Sequence, residues 1–475
     1  MQNVQTALER LRALASSGPV AKLARAFADG GNELALVGGP VRDAFLGREV
    51  HDLDFTTDAR PDRILELVKP IASAHWDIGR EFGTIGARID GETVEITTYR
   101  ADEYDGVSRK PVVAFGDSIE GDLYRRDFTV NALALSLPEL KLVDPTGGIE
   151  DLLEGTLRTP IAPEVSFGDD PLRMLRAVRF TSQLRFHLDG DAFQAVCDMS
   201  KRILDISAER VRDELVKLML TDFPRAGLEL LVETGLAELV LPELPALQLE
   251  RDSGHRHKDV YEHSITVLEN AIELEKDRHA EDAPNLELRF AALLHDIGKP
   301  KTRRFQPGGA VTFYGHDVVG ARLAKKRLTA LRFDNDQIKS ISRLVELHMR
   351  VFNYEGAGWT DSAVRRFARD AGPELERLLT LIRSDITTQN RRKADRLQFA
   401  IDNLEERIAA LREQEELGAV RPDLDGEEIM AILDIKPGPV VGEAYRLLLE
   451  YRLDEGPKSK DEAKEYLLRW WSERG

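Results

Sequence analysis

The sequence has a single cysteine, Cys197, among its 475 residues. One thiol cannot form a disulfide within the chain, and no second cysteine or histidine stands at a metal-ligand spacing from it. Cys197 also lies in an amphipathic stretch, which is the usual setting of a core or surface thiol. We therefore assign it no role in catalysis or metal binding.

Long apolar runs are absent as well. No segment approaches the roughly 20 apolar residues that a membrane span requires, so we expect no membrane-embedded part. The N-terminal stretch MQNVQTALERLRALASSGPV mixes charged and apolar positions and lacks the basic start and apolar core of a signal peptide. Together these two absences predict a cytoplasmic protein.

The chain also lacks a positive net charge. Its formal charge of −18 argues against general affinity for polyanions, because phosphate binding requires clustered Lys and Arg. A local exception is the stretch PLRMLRAVRFTSQLR, residues 171–185, in which arginines recur at helical spacing. The length exceeds what one hydrophobic core supports and predicts about three domains.

Periodicity divides the chain into an α/β part and a helical part. The first part contains short β-type runs, ELALV, TIGARI, TVEITTY and LKLVD, and two segments that we predict as helices, PDRILELVKPIA and FTVNALALSL. From about residue 161 the apolar spacing is helical almost throughout. We predict four regions: an α/β head (1–160), a helical neck and body (161–254), a second helical domain (255–400) and a helical tail (401–475).

Two aspartates close to the N-terminus form a candidate metal site. Asp52 and Asp54 are one residue apart, so on a strand both project from one face while Leu53 and Phe55 occupy the other. Mg²⁺ takes carboxylate, phosphate and water oxygens, and two carboxylates on one face suit it. A D-x-D pair also arises by chance on surface strands. Glu95 would be a third acid of this site if its strand pairs alongside; otherwise it is a solvated side chain.

A glycine turn precedes these aspartates. Gly38 and Gly39 follow an apolar strand and come just before a predicted helix that begins near Val41. Backbone N–H groups at such a turn and at a helix N-terminus can bind a triphosphate. Arg42 would add a fork of donors to that site.

These motifs, GGPVRD and DLDF, resemble the nucleotidyltransferase signature of the DNA polymerase beta superfamily. In particular the chain is similar to the bacterial (class II) tRNA nucleotidyltransferases, the CCA-adding enzymes, and to the related poly(A) polymerases. The blocks RRDFTVNA, DPTGGIEDL and DDPLRMLRAVRF resemble further family motifs in the same order. The resemblance implies a head with a DNA polymerase beta-like mixed sheet, followed by an all-α neck, body, HD domain and tail. It also implies catalytic carboxylates with Mg²⁺ (Asp52, Asp54, Glu95) and nucleotide contacts (Gly38, Gly39, Arg42, Arg125, Arg126, Asp127, Asn131).

The same resemblance implies that Asp170 and Arg173 read the incoming base. An acceptor and a donor at i and i+3 on one helix face can imitate a Watson–Crick edge, to which C and A both offer an amine beside a ring nitrogen. An ordinary surface salt bridge has the same spacing. The family's leading Glu of this helix is Asp169 here. Arg176 and Arg179 extend the stripe, either toward phosphates and the RNA 3′ end or as solvated charges.

Two further segments carry weaker expectations. Residues 99–122 are polar and contain glycine, so we predict a mobile loop, and in the family such a loop helps the switch from C to A addition. Residues 424–450 resemble the family's C-terminal helix-loop-helix, which supports binding of the tRNA backbone.

A second cluster collects most of the histidines. Imidazoles and carboxylates from several helices can build a mononuclear or binuclear transition-metal site, although a lone histidine on an apolar face is usually a core residue. The HDIGK stretch at His295 and Asp296 resembles the HD phosphohydrolase domain. That resemblance implies four core ligands and two additional ones for a divalent transition metal (His263, His295, Asp296, Asp385; His316, His348). It implies hydrolysis of cyclic or terminal phosphates; a structural or RNA-docking remnant is the alternative.

The whole resemblance implies a template-independent enzyme that adds CCA to the 3′ end of tRNA from CTP and ATP and releases pyrophosphate. We expect tRNA as the partner, and neither DNA nor a membrane. The alternatives are a poly(A) polymerase, an enzyme that adds only CC or only A, an HD phosphohydrolase whose head binds RNA, and a non-catalytic RNA-binding protein.

Overall fold

A computed structural model of the chain contains two compact units, Met1–Leu239 and Val240–Gly475. It describes residues 4–16, 18–50, 52–77, 79–103, 112–116, 118–249, 260–307, 310–353, 359–388, 390–415 and 421–474. The predicted division into four regions stays a prediction. Among the described helices none is both long enough and apolar enough to cross a membrane.

The first unit is built on a mixed sheet of seven strands in the order β3-β4-β5-β2-β1-β8-β9. Strands β6 and β7 form a separate antiparallel hairpin, and β10 and β11 form a short parallel pair. The strand bounds are β1 Leu34–Val37, β2 Leu53–Thr57, β3 Ala74–Trp76, β4 Thr84–Ile89, β5 Glu92–Thr98, β6 Arg100–Glu103, β7 Val112–Phe115, β8 Ala134–Leu137, β9 Lys141–Val143, β10 Thr156–Leu157 and β11 His187–Leu188.

Twelve helices accompany these strands in the described part of the first unit and at its end. They are α1 Val4–Ala15, α2 Gly18–Asp29, α3 Gly39–Leu46, α4 Pro61–Val68, α5 Ile119–Tyr124, α6 Gly148–Glu154, α7 Pro163–Asp169, α8 Leu172–Leu184, α9 Gly190–Met199, α10 Ala208–Met219, α11 Arg225–Glu233 and α12 Ala237–Val240. Short 3₁₀ turns lie at Arg80–Phe82, Thr129–Asn131 and Ser200–Asp205. A large apolar core joins helices and sheet through fully buried aromatic rings, among them Phe27, Phe55 and Phe128.

The helix predicted for residues 128–137 is wrong. A 3₁₀ turn at Thr129–Asn131 leads into strand β8, which pairs with β1 on one side and with β9 on the other. An apolar run of this length suits a buried strand as well as a buried helix, and the open ladder of β1 decides between them. Helix α4 also ends at Val68, earlier than predicted, because Pro70 has no N–H with which to continue the helical hydrogen bonds.

The predicted loop 99–122 has more regular structure than expected. Its flanks form the β6–β7 hairpin and its end forms α5. The central residues 104–111 and Asp117 lie outside the described residues, so the loop prediction is not tested there.

The second unit is helical, as predicted, apart from the two-residue strands β12 (Arg304–Phe305) and β13 (Val311–Thr312). Its helices are α13 Val260–Arg278, α14 Leu286–Leu294, α15 Lys299–Thr302, α16 His316–Ala330, α17 Asn335–Leu347, α18 Asp361–Ala371, α19 Leu375–Ser384, α20 Arg391–Glu415, α21 Gly426–Leu433, α22 Pro439–Glu455 and α23 Lys460–Glu473. The last three helices enclose a small core of their own around Ile429, Leu448 and Leu467.

Helices α8 and α11 approach closely at Gly227. A Cβ atom there would lie 2.6 Å from the backbone oxygen of Val178, and the Gly227 N–H donates to Ser182 Oγ at 2.8 Å. Gly227→Ala should therefore lower the free energy of unfolding of the first unit by about 1–3 kcal/mol through overpacking. Urea unfolding followed by circular dichroism measures this.

Gly190→Ala is the matched control, because no atom lies within 4 Å of a Cβ at that position. It should change the unfolding free energy by less than about 0.5 kcal/mol. Equal effects of the two substitutions would contradict the close approach of α8 and α11.

Candidate active sites

Strands β2 and β5 bring the first set of predicted acids together. They run parallel, with Asp54 directly opposite Glu95 in the register. Leu53 and Phe55 are buried, whereas Asp54 is half-buried and Glu95 is exposed, so the two acids lie on the face away from the core. Asp52 is exposed immediately before β2. The prediction that Glu95 stands on a strand next to the aspartates is confirmed.

The electrostatics of this acidic face are unfavourable without a cation. Burial and the neighbouring Glu95 carboxylate raise the pKa of Asp54 from 3.8 to about 6, and Asp52 adds to the rise while Arg126 opposes it. Closely spaced carboxylates with one of them partly desolvated form a donor set of oxygens that suits Mg²⁺. The residues present therefore fit a magnesium site.

The glycine turn lies between this acidic face and the arginines. Gly38 has φ +69°, which side chains disfavour, and a Cβ there would lie 3.1 Å from Nη1 of Arg126. Helix α3 begins at Gly39, so its first N–H groups have no partner within the helix. A side chain at position 38 would both strain the turn and displace Arg126.

A chain of hydrogen bonds connects α3 to α8. Arg42 Nη1 donates to Asn131 Oδ1 at 2.7 Å, and Asn131 Nδ2 donates to Asp127 Oδ1 at 3.0 Å. Arg176 Nε then donates to Asp127 Oδ2 at 2.7 Å. Burial raises the pKa of the Asp127 carboxyl, but the Arg176 guanidinium and the hydrogen bond from Asn131 outweigh burial and hold the pKa well below its ordinary value.

Asp122 is a residue that sequence reasoning missed. Its fully buried carboxylate accepts hydrogen bonds from Arg125 at 2.8 Å and from Arg126 at 3.2 Å. These arginines follow it at i+3 and i+4 on the same helical turn, a spacing that would have revealed the pairing. Asp122 lies at the end of the segment that we predicted as a loop. It fixes two of the predicted nucleotide-contacting arginines.

The structure corrects the interpretation that Asp170 and Arg173 share one helix face. Asp170 precedes α8 in an extended backbone conformation, accepts from the Leu172 N–H at 3.1 Å, and pairs with Arg210 at 3.1 Å. Arg173, inside the helix, is buried and donates to Ser166 Oγ at 2.8 Å and to the backbone oxygen of Arg125. An acid just before a helix caps it, which removes Asp170 from the helical repeat.

Arg176 and Arg179 are not solvated charges on the helix surface. Arg176 pairs with Asp127, and Nε of Arg179 lies 2.8 Å from Oε2 of Glu214 on α10. Glu214 is buried and was not predicted. Carboxylates of the first unit therefore hold these two arginines of the basic stripe in place.

The second site collects the six predicted metal ligands at helix ends. His263 lies in the first turn of α13, and His316 begins α16. The remaining residues cap or follow their helices: His295 and Asp296 come after α14, His348 after α17 and Asp385 after α19. The structure thus brings together all six residues, from five helices.

Asp296 is the centre of this cluster. Its Oδ2 lies 3.2 Å from Nε2 of His295 and 3.5 Å from Nε2 of His263, and its Oδ1 lies 3.3 Å from Nε2 of His316. Asp385 Oδ1 lies 2.9 Å from His263 Nε2. The ligand atoms form two neighbouring groups of three: His263, His295 and Asp385; and Asp296, His316 and His348. This spacing suits a binuclear site.

Backbone carbonyls set the orientation of the buried imidazoles. The Nδ1 atoms of His295, His316 and His348 lie 2.7–2.8 Å from the carbonyl oxygens of Ala292, Phe313 and Val345. A carbonyl only accepts, so each Nδ1 carries the hydrogen and each Nε2 presents a lone pair to the centre.

Two of these nitrogens need a partner. Among the described residues, Nε2 of His316 and Nε2 of His348 are buried without a hydrogen bond. Burial, with repulsion from His295, lowers the pKa of His348 to about 4, so it is neutral at neutral pH. Imidazoles and carboxylates together fit a divalent transition metal.

A buried ion pair fixes two of the helices that carry this cluster. Arg289 on α14 donates to Glu275 on α13 through Nε at 2.8 Å and Nη2 at 2.5 Å, and both side chains are 1% exposed. Breaking such a pair leaves a buried charge without a partner, so the relative position of α13 and α14 is strongly constrained. That constraint sets the distance between His263 and His295.

Three family models match the chain. The poly A polymerase head domain matches residues 34–158, the probable RNA and SrmB-binding site of polymerase A matches residues 185–247, and the HD domain matches residues 260–405. The fold and the first site therefore define a nucleotidyltransferase that carries an HD domain.

Curated relatives show which family of nucleotidyltransferases the chain belongs to. The A-adding tRNA nucleotidyltransferase of Deinococcus radiodurans is 36% identical over 92% of this chain and 96% of its own length. The CC-adding tRNA nucleotidyltransferase of Thermus thermophilus is 32% identical over 91% of this chain and 93% of its own length. The CCA-adding enzyme of Lactobacillus helveticus is 42% identical over 44% of this chain and 52% of its own length. The chain belongs to the tRNA nucleotidyltransferase family and is an enzyme.

A solved structure has the same fold. The CCA-adding enzyme of Bacillus stearothermophilus in complex with CTP aligns with a TM-score of 0.66 over 95% of this chain and 96% of that chain, at 24% identity. This likeness confirms the predicted α/β head followed by helical domains.

The raised pKa of Asp54 leads to a prediction about stability. Because the folded pKa of about 6 exceeds 3.8, the ionised carboxylate costs the folded state about 2–3 kcal/mol above pH 6, and this cost disappears as the pH falls toward 4. Without divalent ions, Asp54→Asn should raise the free energy of unfolding at pH 8 and change it much less at pH 4. Chemical denaturation at the two pH values measures this.

Asp52→Asn is the control, because exposed Asp52 is already solvated. It should alter stability far less than Asp54→Asn does. Mg²⁺ should stabilise the wild type and not the Asp54→Asn variant. If Asp54→Asn raised the free energy of unfolding equally at both pH values, desolvation of the Asp54 charge would not be the cause of the increase.

The two ligand groups of the second site predict separable metal binding. His316→Ala removes a ligand of one group and leaves His263, His295 and Asp385 intact. After reconstitution with Mn²⁺, the variant should retain about half of the metal that the wild type binds, because a three-ligand group remains. Elemental analysis of the desalted protein measures the ratio.

His75→Ala, at an exposed histidine of β3, serves as the control and should keep the full complement of metal. Asp296→Ala should lower binding more than His316→Ala does, because Asp296 faces both groups. Full metal content in the His316→Ala variant would contradict a binuclear centre.

Proposed function

We propose that the first unit adds C and A to the 3′ end of tRNA, completing CCA from CTP and ATP without a nucleic-acid template and with release of pyrophosphate. The observation that carries this proposal is the alignment of Asp54 with Glu95 beside Asp52, next to a glycine turn and a set of fixed arginines. The names of the relatives, A-adding, CC-adding and CCA-adding, support the reaction.

The acidic face would hold magnesium through Asp52 and Asp54, with Glu95 beside them. When bound, magnesium supplies charge stabilisation for an α-phosphate under attack and for leaving pyrophosphate. The chain's own contribution is to position the triphosphate. The unpaired N–H groups at the start of α3, the turn at Gly38 and Gly39, and the Arg42 guanidinium offer donors for its oxygens.

Base selection in this proposal uses Arg173 and Asp170. Arg173 is held by Ser166 and by the Arg125 backbone before any nucleotide binds, so its direction does not have to be organised on binding. The Asp170 side chain, which precedes α8, stays partly exposed and offers acceptors. A donor and an acceptor in fixed positions favour the Watson–Crick edges of C and A, which offer an amine beside a ring nitrogen, over those of U and G.

Addition of A alone is a second candidate. The A-adding relative matches almost the full length of this chain, whereas the CCA-adding relatives of comparable or higher identity match about half of it. The CC-adding relative is also matched along nearly its full length. The number of nucleotides added therefore has to be measured directly.

For the second unit we propose metal-dependent hydrolysis of a phosphoester. When bound, divalent ions polarise a phosphate oxygen and lower the pKa of water. The chain keeps His348 neutral by burial and orients His295, His316 and His348 through backbone carbonyls, so their Nε2 atoms face the centre of the cluster. The unpartnered Nε2 atoms of His316 and His348 support a metal site over a structural remnant.

The test of the first activity uses Mg²⁺ and three tRNA transcripts, ending before CCA, after CC and after CCA. Given CTP and ATP, the enzyme should extend the first two transcripts up to CCA and leave the third unchanged, because base selection and RNA shape limit addition. Extension only of the CC transcript would favour A addition, and unlimited ATP incorporation would favour a poly(A) polymerase. Sequencing of the products distinguishes these outcomes.

The two activities should separate by mutation. Asp54→Ala should lower nucleotide incorporation by more than about a thousandfold, since the metal-holding carboxylate is lost, and leave phosphoester hydrolysis unchanged. His295→Ala should have the opposite effect. Glu92→Ala, an exposed acid on the same strand as Glu95, is the control and should affect neither activity. Loss of incorporation in the Glu92→Ala variant would contradict the assignment of the acidic face.

A further inference from the structure

Three guanidinium groups surround one buried aromatic ring, that of Phe180. The guanidinium carbon of Arg179 lies 4.2 Å from the ring centroid, that of Arg176 lies 5.5 Å away and that of Arg42 lies 5.6 Å away. The ring is 4% exposed and packs edge-to-face against Phe128, with centroids 5.8 Å apart. Three cations within about 6 Å of one ring all fall inside the range of a cation–π interaction.

The three arginines come from two helices and are already neutralised. Arg42 lies on α3, whereas Arg176 and Arg179 lie on α8 at i−4 and i−1 from Phe180. Each one is paired with a carboxylate of its own: Asp43, Asp127 and Glu214. The ring is therefore not needed to balance charge.

A carboxylate and a ring constrain a guanidinium in different ways. A carboxylate fixes the nitrogens that donate to it, but the planar group as a whole can still tilt about those hydrogen bonds. An aromatic face attracts the cation through its quadrupole and limits the orientation of the planar group. With both constraints, the donors that do not face the carboxylates keep one direction before a ligand arrives.

We infer that Phe180 is a positioning residue, which aligns the guanidiniums of Arg42, Arg176 and Arg179 for the phosphates of CTP and ATP. This inference rests on the proposed function of the first unit, because triphosphate binding by Arg42 is part of that proposal and is extended here to Arg176 and Arg179. Phe180 lies in the apolar core and acts only through the arginines. An aliphatic side chain at this position would fill the core and offer no negative face to the cations.

The test compares three variants of the full-length protein. Phe180→Leu keeps an apolar side chain and removes the ring, and Phe180→Tyr keeps the ring. Phe27→Leu is the matched control: Phe27 is fully buried in the same core, and among the described residues none of the cation–ring contacts involves it. Phe180→Met makes the same comparison if Phe180→Leu does not fold.

Calorimetry with CTP and ATP in the presence of Mg²⁺ measures nucleotide affinity, and extension of a tRNA transcript that ends before CCA measures KM and kcat. Phe180→Leu should weaken nucleotide binding and raise KM about tenfold, with a smaller change in kcat, because donors lose their alignment before chemistry begins. Phe180→Tyr should stay within about twofold of the wild type. Phe27→Leu should lose similar stability and keep wild-type KM.

Equal KM values for Phe180→Leu and Phe27→Leu would overturn the inference, and so would a folded Phe180→Tyr variant that behaves like Phe180→Leu. If the wild type binds CTP and ATP but extends no tRNA, the proposed function fails while the calorimetric comparison still decides the role of Phe180. If the wild type binds neither nucleotide, the proposed function and the inference both fail.

Discussion

The ion pair between Asp127 and Arg176 is the contact on which the first unit most depends. Asp127 precedes the 3₁₀ turn that leads into strand β8, and Arg176 lies within α8, so the pair ties the sheet to the helix that contains Arg173 and follows Asp170. Burial of a carboxylate is costly, and here the guanidinium, the amide of Asn131 and the Phe128 N–H offset that cost. Through Asn131 the same carboxylate also orients Arg42.

This arrangement explains how a chain with a net charge of −18 can orient the arginines that we propose as phosphate contacts. Each arginine is held by an acid or a backbone oxygen: Arg125 and Arg126 by Asp122, Arg176 by Asp127, and Arg179 by Glu214. Charges held in this way are oriented and do not form an open basic surface. Selectivity for a particular ligand then follows from geometry, since general attraction of polyanions needs unpaired cations.

The candidate metal sites of the two units have opposite electrostatics. The acidic face of β2 and β5 brings carboxylates close enough to raise the pKa of Asp54, and a cation relieves that repulsion. The histidine cluster is buried, and its imidazoles are made ligands by backbone carbonyls that hold the proton on Nδ1. Oxygen donors with net negative charge suit Mg²⁺, whereas neutral nitrogen donors suit transition metals.

The spacing of residues along the chain was sufficient to predict much of the fold and of the two candidate sites. The period of two put Asp52 and Asp54 on one face, the apolar runs predicted strands β1, β4 and β5, and the resemblance named all six members of the histidine cluster. It was not sufficient for β8, whose apolar run becomes a strand because β1 offers an unpaired edge. Nor did spacing indicate that Glu214 holds Arg179 or that three guanidiniums meet at Phe180. Those contacts join segments up to 138 residues apart, as Arg42 and Phe180 do, and local periodicity carries no information about partners that only packing brings together.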